Sequence, residues 1–194
     1  MLELLTVCTG NICRSPLAEA LLRERLAPLD VQVTSAGTGA LVDYGMTPEA
    51  ARLAADHGVP DVASHRARLL TEGLLETPDL IFAMSREHRR YIADLAPRRL
   101  RSTFTLREFA RLAQLASDES IAAAVVGASD PHEALRLAAA RVAAMRSEAE
   151  PPADASDDDI VDPYRRSWKT YQLSASQLVP AVDEVVRVVR VALA

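Results

Sequence analysis

Apolar and polar positions along this chain fall into two alternating rhythms. Residues 2–7 form a short apolar run closed by Thr9-Gly10-Asn11, which predicts a buried strand feeding a turn. A helix follows: Ser15 stands where a cap is wanted, Pro16 suits the first turn, and Leu17, Ala20, Leu21 and Leu22 make an apolar face as far as Leu26. Residues 31–35 alternate as a second strand, and strand, helix, strand is the opening of a right-handed crossover on a parallel sheet. A glycine-bearing loop, 36–46, leads into a helix that starts at Thr47-Pro48-Glu49 and is stopped after about His57 by Gly58 and Pro60. Residues 78–84 predict a third strand. Ser85 then caps a helix that turns Arg86, Glu87, Arg89 and Arg90 to water and Tyr91, Ile92 and Leu95 inward. A short fourth strand fits residues 102–105. The class is therefore α/β, expected as a three-layer sandwich with a four-stranded parallel sheet and helices on both faces.

Beyond residue 106 the rhythm changes. Residues 106–150 are alanine-rich and carry no strand signal, so two or three helices fit, the clearest begun by Pro131 with Leu135, Leu137, Ala138, Val142 and Met145 inside. Residues 150–162 read as a linker of proline, alanine, serine and aspartate. Val182, Val185, Val186, Val189 and Leu193 recur at helical spacing in the last element, which Pro180 should kink or divide. The expected organisation is one domain over 1–194, with 110–156 a helical insertion and acidic linker within it, placed before an acidic loop.

Composition narrows the function. The chain has 194 residues, 49% of them hydrophobic, and a formal net charge of −5, which is ordinary for a globular protein and speaks against a general nucleic-acid binder. Its basic residues are 21 arginines and the single Lys169. No run approaches the ~18 apolar residues of a membrane span, and the N-terminus lacks a basic region, so the expected location is the cytoplasm. Two cysteines, Cys8 and Cys13, are too few for a disulfide scaffold, and in a reducing compartment they are candidates for chemistry.

That chemistry centres on Val7-Cys8-Thr9-Gly10-Asn11-Ile12-Cys13-Arg14-Ser15-Pro16, which joins a strand to a helix. Successive backbone N–H groups there can curl into a nest at a helix N-terminus, where the dipole also favours a dianion. Arg14 adds a two-pronged fork for phosphate oxygens, and the same positive field favours a thiolate on Cys8. A cysteine followed six residues on by an arginine is weak evidence in a chain with so many arginines; the preceding strand, Gly10-Asn11 and the Ser15-Pro16 helix start strengthen it. Thr9, Gly10, Asn11, Ile12, Cys13, Arg14 and Ser15 are the expected phosphate-binding residues. Cys13 reads as a packing residue that could also form a reversible disulfide with oxidised Cys8.

On this segment the chain resembles the low-molecular-weight protein tyrosine phosphatase family, in its bacterial branch that includes protein-arginine-phosphatase-like members. Ser35-Ala36-Gly37-Thr38, Ser64-His65 with Arg68, and Asp162-Pro163-Tyr164 follow in the family's order, so the resemblance spans about 2–106 and 160–193. It implies metal-free, cofactor-free hydrolysis of a phosphate monoester through a cysteinyl phosphate. Cys8 is the implied nucleophile, Arg14 the holder of the equatorial oxygens, and Asp162 the acid that protonates the leaving group and then activates water. Ser15 would support the thiolate, and Asn11 would hold the loop's shape together with Ser35 and His65. Ile12, Leu41, Tyr44 and Tyr164 are the implied pocket walls. The implied partner is a phosphorylated protein, such as a kinase or a cell-envelope pathway protein, and the oligomeric state stays open.

Ile12 favours phosphotyrosine, whereas Thr47-Pro48, Phe104-Thr105-Leu106 and Arg165 after Tyr164 look more like the arginine-phosphatase branch. Arsenate reductase chemistry needs further cysteines that the chain lacks, and a non-catalytic phosphoprotein-binding module is the reading from a different class. His57, His88 and His132 read as surface residues and Arg98, Arg99 and Arg101 as a solvated loop. Asp154, Asp157, Asp158 and Asp159 are expected to lie near Asp162 and raise its pKa by like-charge repulsion.

Overall fold

The computed structural model describes residues 1–194. Four strands, β1 (Leu2–Cys8), β2 (Val31–Gly37), β3 (Leu80–Ala83) and β4 (Thr103–Thr105), form one parallel sheet in the order β2-β1-β3-β4. The chain moves outward from β1 to β2 and then crosses back to β3 on the other side. The C-terminal end of β1 is thus a switch point, where diverging connections leave a crevice for a ligand.

Side-chain alternation along the strands divides the core in two. Leu4, Cys8, Leu80, Phe82 and Phe104 enter the larger core, on the face covered by α1 (Arg14–Leu26), α2 (Pro48–Asp56), α4 (Leu106–Ala113), α5 (Asp118–Val125), α6 (Pro131–Ala144) and α7 (Trp168–Ala192). Leu5, Val7, Ile81 and Ala83 enter a smaller core with Ile92 of α3 (Arg86–Leu95). The expected sandwich with helices on both faces is what forms, with most of its helices on one side. No helix is long and apolar enough to cross a membrane.

The alanine-rich segment does not stand apart as a lobe. Ile121, Leu135, Ala138, Val142 and Met145 share one continuous apolar core with Phe104, Phe109 and the valines of α7. The ring of Phe109 meets those of Phe82 and Phe104 edge-on at 5.2 Å each. Pro180 does not divide α7, which runs through it. A mid-helix proline costs ~3 kcal/mol. Burying Leu178, Val182, Val185 and Val189 on either side contributes about 1.5–3 kcal/mol each, which outweighs it. Tyr91 is half-exposed rather than inward, because His88 and Ile92 are the buried face of α3. Arg99 is not solvated like its neighbours: its guanidinium reaches the Pro78 carbonyl.

Gly37, at the end of β2, lies against the loop that follows β1. A Cβ there would collide with the Thr9 carbonyl oxygen and stand 3.0 Å from Asn11 Cβ. Backbone cannot yield as a flexible side chain would, so Gly37→Ala is expected to cost roughly 1–3 kcal/mol of stability in chemical denaturation. Turnover should fall with it.

Candidate active site

Residues 9–13 leave the sheet at the end of β1 and curl before α1 begins at Arg14. The direction of every carbonyl in this loop is accounted for. Those of Cys8, Thr9 and Gly10 accept from the N–H groups of Thr38, Gly39 and Leu41 at 2.9–3.1 Å, that of Ile12 from Thr47, and that of Cys13 from Leu17. The Asn11 carbonyl accepts from His65 Nε2 at 2.8 Å. With the carbonyls so engaged, the N–H groups of Gly10, Ile12 and Cys13 have no acceptor in the protein. The result is a concave row of donors at a helix N-terminus, suited to an anion.

Asn11 makes the curl possible. Its φ of 55° is left-handed, a region that asparagine tolerates better than other side chains. Its Oδ1 accepts from the Arg68 N–H at 2.9 Å, and its Nδ2 donates to Ser35 Oγ at 2.7 Å and Ser15 Oγ at 3.0 Å. Ser35 Oγ donates onward to Glu19 Oε2 at 2.5 Å. Because Ser15 Oγ accepts from Asn11, its own hydrogen goes to one of two acceptors, Cys8 Sγ at 3.0 Å or the Ala36 carbonyl at 3.4 Å, of which the sulfur is the nearer. The Asn11 N–H lies 3.3 Å from the same sulfur, so two donors converge on the thiol that the sequence singles out. Ser15 is therefore not a helix cap; Cys13 occupies that position without a side-chain cap bond.

Arg14 is 5% exposed, donates to the Ile160 carbonyl at 3.0 Å and pairs with Asp162 Oδ2 at 3.0 Å. Its Nε is buried with no partner. Asp162 is thus in the same place as Cys8, although some 150 residues separate them in sequence. Cys8, Ile12, Arg14, Leu41, Asp162 and Tyr164 help to line one cavity of about 140 Å³, to which residues 110–156 contribute nothing. Tyr44 is not part of that wall; its side chain is exposed on the neighbouring loop. Cys13 also lines the cavity, and burial pushes its thiol pKa up despite contacts of 3.5 Å to Tyr171 and Thr47.

The acidic stretch before Asp162 is held by contacts of its own. Asp158 makes a paired contact with Arg111, Asp159 with Arg86, and Asp157 turns back to the Asp154 N–H. Arg107 also holds the Asp159 carbonyl, Ile160 N donates to the Met84 carbonyl, and Val161 N donates to Gln177 Oε1. Arginines of α3 and α4 pair with Asp158 and Asp159 and bind the loop down. What reads as a solvated linker is a clamp that sets the position of Asp162.

His88 is the residue missed from sequence. It is 3% exposed, its Nε2 is 2.8 Å from Thr9 Oγ1 and its Nδ1 is 2.8 Å from Ser85 Oγ. The signal was present in the cap itself: Ser85 accepts from the His88 N–H, which places His88 in the first turn after β3, at the sheet end that carries the site. Burial, then the charge of Arg14, push its pKa down to about 4. Because the unfolded histidine, with a pKa near 6.5, takes up its proton first, acid favours the unfolded chain. Stability is expected to fall by about 1.4 kcal/mol per pH unit from roughly pH 6.5 to 4 on this account. A His88→Gln variant should lack this component, read as a shallower pH dependence of denaturation midpoints in that window.

The sequence profile described as low molecular weight phosphotyrosine protein phosphatase matches residues 3–120, more than half of the chain. The chain belongs to the low molecular weight protein tyrosine phosphatase family. Among this phosphatase's relatives, the probable low molecular weight protein-tyrosine-phosphatase EpsP of Ralstonia solanacearum is 46% identical over 105 residues, 54% of this chain and 70% of that one. Etp of Escherichia coli K12 is 47% identical over 95 residues, 49% of this chain and 62% of that one. Among solved structures, the low molecular weight protein tyrosine phosphatase of T. tengcongensis gives a TM-score of 0.66 at 26% identity, covering 95% of this chain and 97% of that one. The YwlE arginine phosphatase gives 0.65 at 26% identity, over 95% and 93%. Asp162 lies outside the profile match, so its place in the site rests on the geometry above.

Proposed function

We propose that this phosphatase hydrolyses phosphotyrosine in proteins through a phosphocysteine on Cys8, without a metal. The observation that carries the reading is the set of unpaired donors around one sulfur: the N–H groups of Gly10, Ile12 and Cys13, and the buried Nε of Arg14. Thr9 and the rest of the 9–15 loop complete the phosphate-binding set. A bound phosphate dianion gives those donors their acceptors, and they serve best where charge spreads over the equatorial oxygens in the transition state.

Cys8 attacks phosphorus, and the phosphorus–oxygen bond to the leaving group breaks as the sulfur–phosphorus bond forms. Asp162, protonated, delivers its proton to the departing oxygen; as a carboxylate it then takes a proton from the water that cleaves the phosphocysteine. Phosphate entering the loop competes with Asp162 for Arg14, which releases the carboxyl group for this work. Ser15 supports the sulfur as thiolate, while Asn11, Ser35 and His65 hold the loop's shape. Ile12, Leu41 and Tyr164 offer apolar walls to an aromatic ring. Residues 110–156 fit the reading as an insertion that thickens the core and leaves the mouth open. The substrate partner is a phosphorylated protein, and two free thiols suit the reducing cytoplasm.

The curated relatives with similar sequence carry the tyrosine-phosphatase name, and the arginine phosphatase resembles the fold as well as the tyrosine enzymes do. Phosphoarginine is therefore the second substrate to test. Hydrolysis of para-nitrophenyl phosphate with and without EDTA, then of phosphotyrosine and phosphoarginine peptides side by side, decides it. The reading requires EDTA-insensitive turnover and a higher kcat/KM for phosphotyrosine; the reverse preference transfers the enzyme to the arginine class.

A further inference from the structure

A second cavity, of about 330 Å³, lies behind the phosphate loop, and its wall includes Arg23, Arg66, Arg68, His65, Glu19 and Ser35. Three guanidinium groups thus share one space with a single carboxylate. Glu19 does not balance them. Its oxygens are taken by Ser35 at 2.5 Å and by Arg23 at 3.4 Å, with His65 Nδ1 3.9 Å away. Arg66 spends NH1 on the carbonyls of Ala63 and His65, and Arg68 spends Nε on that of Ser35; neither has a carboxylate partner. Arg66 Nε and NH2 and both terminal nitrogens of Arg68 are therefore free to donate. Like charges gathered in one concave space repel one another, and a multivalent anion relieves that repulsion while filling planar forks built for oxyanions.

We infer that this cavity binds a small multivalent anion and that its occupancy is felt at Cys8. The connection is short and continuous. Ser35 and Glu19 in the cavity wall form the far end of the hydrogen-bond chain that runs through Asn11 and Ser15 to the sulfur, and His65 holds the Asn11 carbonyl. An anion that draws Arg23 away from Glu19 leaves the carboxylate to Ser35 alone. One that engages Arg68 fixes the group that holds the Ser35 carbonyl. Either contact bears on the left-handed residue that shapes the loop, so the effect belongs in kcat.

The probes are citrate and inorganic pyrophosphate, titrated calorimetrically into enzyme whose phosphate loop is saturated with orthovanadate. Citrate tests carboxylate recognition and pyrophosphate tests phosphate recognition at the same guanidinium groups. The expected result is one binding event per chain for at least one probe. An Arg23→Gln, Arg66→Gln double variant should weaken it about tenfold or more, as loss of charge-assisted donors requires. Arg66→Gln alone gives a smaller loss and serves if the double variant folds poorly. Without probe Arg66→Gln should keep wild-type turnover, because Arg66 touches only the Ala63 and His65 carbonyls, while in the wild type the binding probe shifts kcat for para-nitrophenyl phosphate. No binding to vanadate-blocked enzyme, binding that is indifferent to the substitutions, or an unchanged kcat at saturation overturns the inference. The binding arm needs no turnover, so its failure is distinct from failure of the phosphatase reading on which the kcat arm rests.

Discussion

Cys8→Ser is expected to lower kcat for para-nitrophenyl phosphate by roughly 10⁴-fold or more, the scale on which removal of an essential nucleophile acts. The expectation follows from what surrounds the sulfur. Ser15 Oγ at 3.0 Å and the Asn11 N–H at 3.3 Å can support an anionic thiolate, whereas a serine hydroxyl at the same place holds its proton too tightly to be a comparable nucleophile. The oxygen is a near-isostere, and the loop's shape rests on carbonyl bonds that the substitution leaves alone. Inhibition by inorganic phosphate should therefore change little while turnover collapses. Retention of more than about 1% of wild-type kcat, far above the residue of such a loss, would remove Cys8 from the reaction.

Asp162→Ala should show a different signature. Loss of a general acid lowers turnover by about 10²–10⁴-fold, and the loss should be steepest for leaving groups that need a proton most. Phosphotyrosine peptide hydrolysis is thus expected to suffer more than that of para-nitrophenyl phosphate, whose phenolate leaves unaided more readily. Asp162 also neutralises Arg14 at 3.0 Å, so its removal should tighten phosphate binding as the leaving-group assistance is lost. A uniform decrease across leaving groups would assign Asp162 a role in holding Arg14 and none in proton transfer.

How much of this could be read before the structure depends on the range of the forces involved. The phosphate loop was legible because its shape is local: a strand end, a residue tolerant of positive φ and a helix start lie within nine residues. Elements with clear periodicity, such as β1, α2 and α6, followed their patterns, and Thr47 and Ser85 cap helices as their positions suggested. Ser15 was misread as a cap because a serine before a helix has that role by default; here Cys8 and Asn11 claim its hydroxyl. Long-range contacts were opaque for a more general reason. Nothing in Asp158-Asp159 announces that Arg111 and Arg86 will meet them, and although the Ser85 cap places His88 at the right end of the sheet, only the fold brings Thr9 to 2.8 Å from its ring. Likewise the alanine-rich segment has weak local character, and whether it stands apart or joins the core is decided by Phe109 and the valines of α7.

The central claim is a covalent intermediate on Cys8, and mass analysis of rapidly quenched enzyme tests it most directly. Asp162→Ala enzyme mixed with para-nitrophenyl phosphate should accumulate the intermediate, because the carboxylate that activates the second water is missing while a good leaving group still departs. The account predicts one phosphoryl group on the peptide that contains Cys8, lost when Cys8→Ala is added to the same background. A phosphoryl group on any other residue, or turnover through an enzyme that never carries one, would contradict it.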